Sequence, residues 1–595
     1  MHVLRDASTL VHTIHNERLP IQRLPPEILA RIFSDVRISV YSRSTLSLAQ
    51  PQWTFPVYDD RELCSLLLVC RRWREVALNS PLLWSHVMAR PGIGDNYLTR
   101  SASVPLTIYI SPEISLSTTK LSGGNTFSVS CPAPLLYKSL KSIGKVHSRI
   151  RALHVGFKHA GVGPWMLGFL ATLGAEQLEH CSIEFPLKQD SGSRILGLHE
   201  PDVAPRLTLF SGGHGNTGGN RLRSLHLSAV PFLPSNKFPS LTTFSLSNAI
   251  IKSNWPGDLR VRSWGLGDLI DFLSGSPHLE ELSIRNAQLD RRASPASGYR
   301  RVVLSRLRHL VLEEPPHTPP STMQRALSII TYPQHCHVLL ATFGASRPEI
   351  VNELFALLPH SEPYSHLRIR IVSVHSTMLH FVPASRSGSL SVDLRISNQL
   401  LVTDFSPQRQ LRALFDRSYP WCCSIEELWL ELAESDYYDG PRCLLGRFPG
   451  LRRLVVCQPR YVSPGGSYAS LQDALHLLRP SKSGSVACPA LDTLCINIPA
   501  YMTDVEIVKQ ILLSRAQSHP VRRLVVGYSP MLELEVIAEV FSLETLVEEF
   551  VCEELPPVDR DTVPSDWLLS IPYAFEDGGL QADWPKWNKG PLTSS

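Results

Sequence analysis

The spacing L-x-x-L-x-L recurs along this chain, and it constrains the possible folds more than any other feature. It appears as Ile150, Leu153, Val155; Leu178, Cys181, Ile183; Leu222, Leu225, Leu227; Leu241, Phe244, Leu246; and Leu279, Leu282, Ile284. It continues as Leu307, Leu310, Leu312; Ile425, Leu428, Leu430; Leu451, Leu454, Val456; Leu491, Leu494, Ile496; and Val521, Leu524, Val526. Two apolar residues two positions apart share a face of a strand, and the third lies on the approach to it. Such a short unit cannot bury its apolar residues alone, so repetition implies stacking. The first six units start 19 to 44 residues apart, an irregular period.

Apolar helical candidates precede several units. WGLGDLIDFLSGSP stands before HLEELSI, EIVNELFALLPH before LRIRIVSV, LQDALHLLRP before ALDTLCI, and VEIVKQILLSRAQSHP before VRRLVVG. Helix and strand alternating in this way predict an α/β region with a parallel sheet. Its 47 prolines argue against long unbroken helices. FSGGHGNTGGNR at 210–221 and AESDYYDGPR at 433–442 read as edge loops.

Lys and Arg total 58 against 54 Asp and Glu, which gives no field suited to nucleic acid. Twelve cysteines without a CxxC pair suit a reducing compartment, so the expected location is cytoplasmic and/or nuclear. No apolar run is long enough to span a bilayer, and the N-terminus lacks the apolar core of a secretory signal.

Residues 20–90 have another character. In RLPPEILARIFSDV, Pro25 and Pro26 suit a first helical turn, and Ile28, Leu29, Ile32 and Phe33 form a stripe. LCSLLLVCRRWREVALN reads as one second helix. Leu63, Leu66, Val69 or Cys70, Trp73, and Val76 or Ala77 lie on its apolar side, with Arg71, Arg72, Arg74 and Glu75 as a solvated face. Ser80 and Pro81 stop it, and Leu82, Leu83 and Trp84 form a final anchor.

LPPEILARIF followed by LCSLLLVCRRWREVALNSPLLW resembles an F-box, with an insertion near 37–60 that must loop out. The region beyond resembles the divergent leucine-rich repeats that many F-box proteins carry. The resemblance implies an all-helical F-box module followed by an irregular leucine-rich-repeat-like helix-strand solenoid. It also implies a non-catalytic substrate-recognition subunit of a Skp-cullin-F-box type E3 ubiquitin ligase. The module would bind a Skp-type adaptor, and through it a cullin-RING ligase, while the repeats bind an unidentified protein target. Leu24, Pro25, Ile28, Leu29, Val69, Cys70 and Trp73 are the candidate adaptor contacts, by position in the motif. Private core and partner contact both stay open for these residues. The alternative function is a scaffold that uses the repeats without a ligase.

The expected organisation is an extension at 1–19, the F-box at 20–90, a linker with first strands at 91–149, repeats at 150–555, and a tail at 556–595. The tail carries Trp567, Trp584 and Trp587, and reads either as packed back on the body or as partly disordered. Other motifs are weak. His335-Cys336-His337 and Cys422-Cys423 lack zinc-ligand spacing, and GGHGNTGG lacks the Lys-Ser/Thr of a phosphate loop. Cys70 beside Arg71 invites a reactive-thiol reading, but its place on the stripe favours packing. No catalytic residue, metal site or cofactor is assigned, and neither nucleic acid nor membrane is expected as a partner.

Overall fold

The computed structural model describes residues 11, 15, 18–34, 61–89, 94–110, 119–120, 126–127, 140–156, 163–184, 208–211, 221–230, 232–247, 266–285, 301–314, 321–333, 336–343, 364–373, 376–383, 392–397, 420–432, 445–457, 475–476, 478–480, 486–498, 505–528 and 533–554. The expected loop at 37–60, both edge-loop tips, the helix expected at 349–360 and the tail lie outside these residues. Two compact units divide the chain, residues 1–282 with 288–304, and residues 283–287 with 305–595.

The first unit opens with helices α1 (26–34), α2 (Arg61–Val69) and α3 (Arg71–Leu78), and a 3-10 turn, Pro81–Trp84. Strand β1 (His86–Met88), helix α4 (Gly94–Arg100) and β2 (Leu106–Ile110) follow. Next come β3 (Ile150–Gly156), β4 (His180–Glu184), β5 (Ser224–Ser228) and β6 (Thr243–Ser247). Each of these six strands pairs in parallel with the next in chain order. Register aligns Ile108, Leu153, Cys181, Leu225 and Phe244 in one row, and Ile110, Val155, Ile183, Leu227 and Leu246 in a second. Helix α5 (Leu266–Ser274) covers this face, with Phe272 4.5 Å from Phe244 between ring centroids.

The second unit has β7 (His309–Glu314), β8 (His337–Phe343), β9 (Tyr364–Ser373), β10 (Ser376–Pro383) and β11 (Val392–Ser397). It continues through β12 (Glu427–Leu432), β13 (Arg453–Cys457), β14 (Thr493–Ile498), β15 (Arg523–Tyr528) and β16 (Glu549–Glu554). Helices α6 (Glu506–Arg515) and α7 (Leu534–Ser542) sit between the last strands in sequence. Strands β12 to β16 again pair in parallel in chain order. Among the described strands of this unit, the parallel expectation fails at β10. Strand β10 pairs antiparallel with both β9 and β11, because two residues separate it from β9 and a connection that short reverses the chain.

All thirty residues of the ten sequence units are buried, at 4% exposure or less. A backbone clasp locks one unit to the next. The N–H groups of Arg223 and Ser224 both donate to the carbonyl of Glu179, and those of Thr242 and Thr243 to Arg223. The same double donation joins Arg452 and Arg453 to Glu426, Asp492 and Thr493 to Arg452, Arg522 and Arg523 to Asp492, and Glu548 and Glu549 to Arg522. It satisfies backbone groups where the chain enters each strand and sets the register of the apolar rows. Just before one of these entries, Gly450 lets the chain run close to Cys423, whose carbonyl oxygen would lie 2.9 Å from an added Cβ.

Arg515 ties the turns of the second unit together. Fully buried at the end of α6, it donates to the carbonyls of Leu478 (3.2 Å), Ala487 (2.9 Å), Cys488 (2.8 Å) and His519 (3.2 Å). Cys488 has φ 52°, a left-handed conformation that costs a non-glycine residue energy. The guanidinium fork holds that turn by its carbonyl. We expect Arg515→Ala to lower unfolding free energy by about 3 kcal/mol, since it orphans several buried carbonyls. Arg515→Lys should recover only part of this, because an ammonium lacks the planar fork. Urea denaturation of the three proteins checks the order.

The first unit's other sheet face is polar. Register places Tyr109, His154, Ser182, His226 and Ser245 in one row. His154 Nδ1 lies 2.6 Å from Ser182 Oγ, His226 Nε2 lies 2.9 Å from Ser224 Oγ, and Tyr109 stacks on His154 at 5.0 Å. Burial first, then the charges of His226 and His180, push the His154 imidazole down to about 4, and burial and His180 do the same for His226. Both are neutral when folded near pH 7. Below about pH 6.5 the unfolded chain takes up protons that the folded chain refuses until about pH 4. Stability present above pH 6.5 should therefore fall as the pH drops to about 4, by roughly 3 kcal/mol per histidine. His154→Gln should flatten that slope in pH-dependent chemical denaturation.

Candidate partner-binding site

The N-terminal helices are built around a clasp at Cys70. The stripe predicts one continuous helix here, but the chain breaks into α2 and α3 at Cys70, which has extended backbone (φ −158°, ψ 171°). Its Sγ accepts from Trp73 N–H at 3.4 Å, capping α3, and from Gln22 Nε2 at 3.2 Å. Arg72 follows the bend and reaches the same segment, donating through Nη1 to the Gln22 carbonyl and through Nη2 to the Leu24 carbonyl at 2.5 Å. The reading of the arginines as one solvated face is thus wrong for Arg72. The 3-10 turn Pro20–Arg23 presents the Gln22 carbonyl to α3, where the Arg72 guanidinium donates to it. Arg71 is exposed and, among the described residues, pairs with Glu75, at 3.3 Å.

Behind the clasp lies the module's private core. Leu29 and Phe33 of α1 are buried, and the Phe33 ring lies 4.9 Å from that of Trp73. Ser80 ends α3 by donating to the Val76 carbonyl at 2.6 Å, and Pro81 opens the 3-10 turn. Buried Trp84 donates through Nε1 to Ala77 O at 2.8 Å, meets Tyr97 of α4 edge-on at 5.0 Å and carries the Arg100 guanidinium 4.4 Å above its ring. The final anchor therefore ties α3 to α4, inside the same unit.

These contacts sort the seven candidates. Leu29 is core, Trp73 is half-buried against Phe33, and Cys70 is half-buried as the cap. Leu24 is half-buried, and its carbonyl is taken by Arg72. Pro25, Ile28 (48% exposed) and Val69 (52%) face solvent, so Ile28 leaves the expected inward stripe. Sequence reasoning passed over Leu68, which is 76% exposed beside Val69. The signal was the Leu66-Leu67-Leu68 run. Three consecutive leucines cannot all face inward at 100° per residue, so one had to point out. The clasp brings the segment before Pro25 against the bend after Val69, which places the exposed aliphatics on neighbouring elements.

Elsewhere the buried cysteines Cys336, Cys488 and Cys495 are packing residues. Burial pushes the Cys336 and Cys488 thiols up to about 12 and, ahead of its neighbouring charges, Cys495 up to about 11, so all three are protonated near neutrality. Among the described residues no helix is long and apolar enough to cross a membrane.

A family model for F-box-like domains matches residues 21–90, the helical module together with β1 and none of the later strands. No curated protein matches the chain. The clasp yields a direct contrast. Arg72→Ala should destabilise the first unit by about 2 kcal/mol through loss of two charge-assisted hydrogen bonds. Arg71→Ala, at an exposed pair, should change stability by less than about 0.5 kcal/mol. Thermal melting of the two variants side by side tests this.

Proposed function

We propose, from the F-box-like domain at residues 21–90, that this protein is the substrate-recognition subunit of a Skp-cullin-F-box type ubiquitin ligase. The domain fits binding to a Skp-type adaptor and, through it, to a cullin-RING ligase. The observation that carries the reading is the exposed aliphatic group Ile28, Leu68 and Val69, held beside the Cys70 clasp. An apolar group kept in water on a small helical module is what a partner's apolar groove would cover. Pro25 is exposed as well, while Leu29 is buried and Cys70 and Trp73 are half-buried in the module.

In this proposal residues 150–555 form a leucine-rich-repeat-like solenoid that captures the target protein, supported by the thirty buried unit residues and the repeated backbone clasp. The protein acts without catalytic residues or cofactor of its own, in the cytoplasm and/or nucleus. Co-expression with a Skp-type adaptor tests the first step. Ile28→Asp with Val69→Asp should reduce co-purified adaptor at least tenfold while leaving the melting temperature of the chain unchanged. Retention of the adaptor by that double variant sinks the interface assignment. A wild-type complex that holds the adaptor but neither a cullin nor ubiquitin-conjugating activity identifies a scaffold instead.

A further inference from the structure

The units of the last ladder alternate in charge from one strand to the next. Residues 426–430 read EELWL, 452–456 RRLVV, 492–496 DTLCI, 522–526 RRLVV again, and 548–552 EEFVC. Register stacks Glu427, Arg453, Thr493, Arg523 and Glu549 in one row. The backbone clasp stacks Glu426, Arg452, Asp492, Arg522 and Glu548 in the row before it. Opposite charges on neighbouring strands favour pairing and like charges oppose it. Each RRLVV unit thus lies between two acidic neighbours, and Arg522 and Arg523 reach Glu548 and Glu549 at 3.9 and 3.3 Å. The apolar positions keep the same order. Trp429, Val455, Cys495, Val525 and Val551 form a row on the face away from α7, whose Phe541 meets Phe550 on the other face.

At β16 the pattern stops on an acidic unit with a basic neighbour on one side. Among the described residues β16 has β15 as its one strand neighbour, and no described unit follows to donate to the carbonyl of Glu548. Leu524, Val525 and Val526 are 0 to 1% exposed, whereas Phe550, Val551 and Cys552 are half-buried. Phe541, its ring 6.3 Å from that of Phe550, is 48% exposed. This edge offers main-chain groups, apolar surface and two carboxylates to one more strand. We propose that the open edge of β16 docks an extended segment of the target protein, two adjacent basic residues followed by three apolar ones, laid parallel to β16. The proposal rests on the reading of the repeat region as the part that captures the target, and it adds the target's chemistry. The basic pair takes the place that Arg452 and Arg453 hold beside Glu426 and Glu427, and its N–H groups complete the clasp at Glu548. A second copy meeting the same edge would set carboxylates against carboxylates. Residues 555–595 carry six acidic against three basic residues, with no two basic residues adjacent, so their charge does not fit the place either.

The test uses the full-length protein and a fluorescein-labelled peptide that copies residues 521–528, VRRLVVGY. Fluorescence anisotropy should show saturable binding, at least tenfold weaker for a peptide with both arginines replaced by glutamate. A chain with Glu548→Lys and Glu549→Lys should reverse that preference. Absence of saturable binding to the wild type, or equal binding of the two peptides, overturns the proposal. If the charge-reversed chain fails to fold, the wild type decides: a photoreactive benzoylphenylalanine at the position of Val525 in the peptide should cross-link within residues 548–554, and a cross-link only elsewhere overturns it. A concentration-dependent dimer that excludes the peptide assigns the edge to a second copy and overturns it too. The adaptor takes no part in this assay. A chain that binds the peptide without holding an adaptor loses the ligase reading and keeps the site, while one that holds the adaptor and ignores the peptide loses the site alone.

Discussion

Neighbouring strands must hold a common register before this chain can bury anything, because each strand offers only two inward residues and one on its approach. The constraint is met by backbone rather than side chains. One carbonyl at each strand entrance accepts two N–H groups from the next unit, as Glu426 does from Arg452 and Arg453, and Arg452 from Asp492 and Thr493. Slippage by one residue would turn Leu454 outward and Arg453 inward. With register held, the rows through Leu225 and Leu454 become continuous apolar surfaces for helices to cover, and the intervening segments can vary in length. That explains how an irregular repeat still builds regular ladders.

The N-terminal module solves a smaller version of the same problem. Three short helices cannot bury all their apolar residues, so the module spends Leu29, Phe33, Trp73 and Trp84 on its own core and leaves Ile28, Leu68 and Val69 in water. Cys70 makes this division possible. By leaving helical geometry it ends α2, so that Leu68 and Val69 stand at a helix terminus, and its sulfur starts α3 and receives Gln22. Arg72 then fastens the segment preceding α1.

Legibility differed between the two regions for a physical reason. The ten L-x-x-L-x-L units were readable because apolar alternation is a local property of a strand, and every residue they named is core. Rungs outside those units escaped notice, β8 and β11 among them. Pro105, Ile108 and Ile110 lack a leucine on the approach, and Val547, Phe550 and Cys552 end the ladder with half-buried residues. The reversal at β10 was hidden as well, since a period-two strand reads the same in either direction. In the module the motif located the site, but the stripe could not separate the buried Leu29 from the exposed Ile28 beside it.

By itself, the sequence determined the α/β class, the positions of most core strands and the presence of an F-box-like module, because those follow from the spacing of apolar residues along a short stretch. Tertiary structure alone decided which of the seven candidates face solvent, that Arg72 is a fastener while Arg71 is not, and that the outward row is histidine-rich in one unit and apolar in the other. Those outcomes depend on which strand or carbonyl lies alongside, and neighbours brought together by folding leave no mark in local spacing.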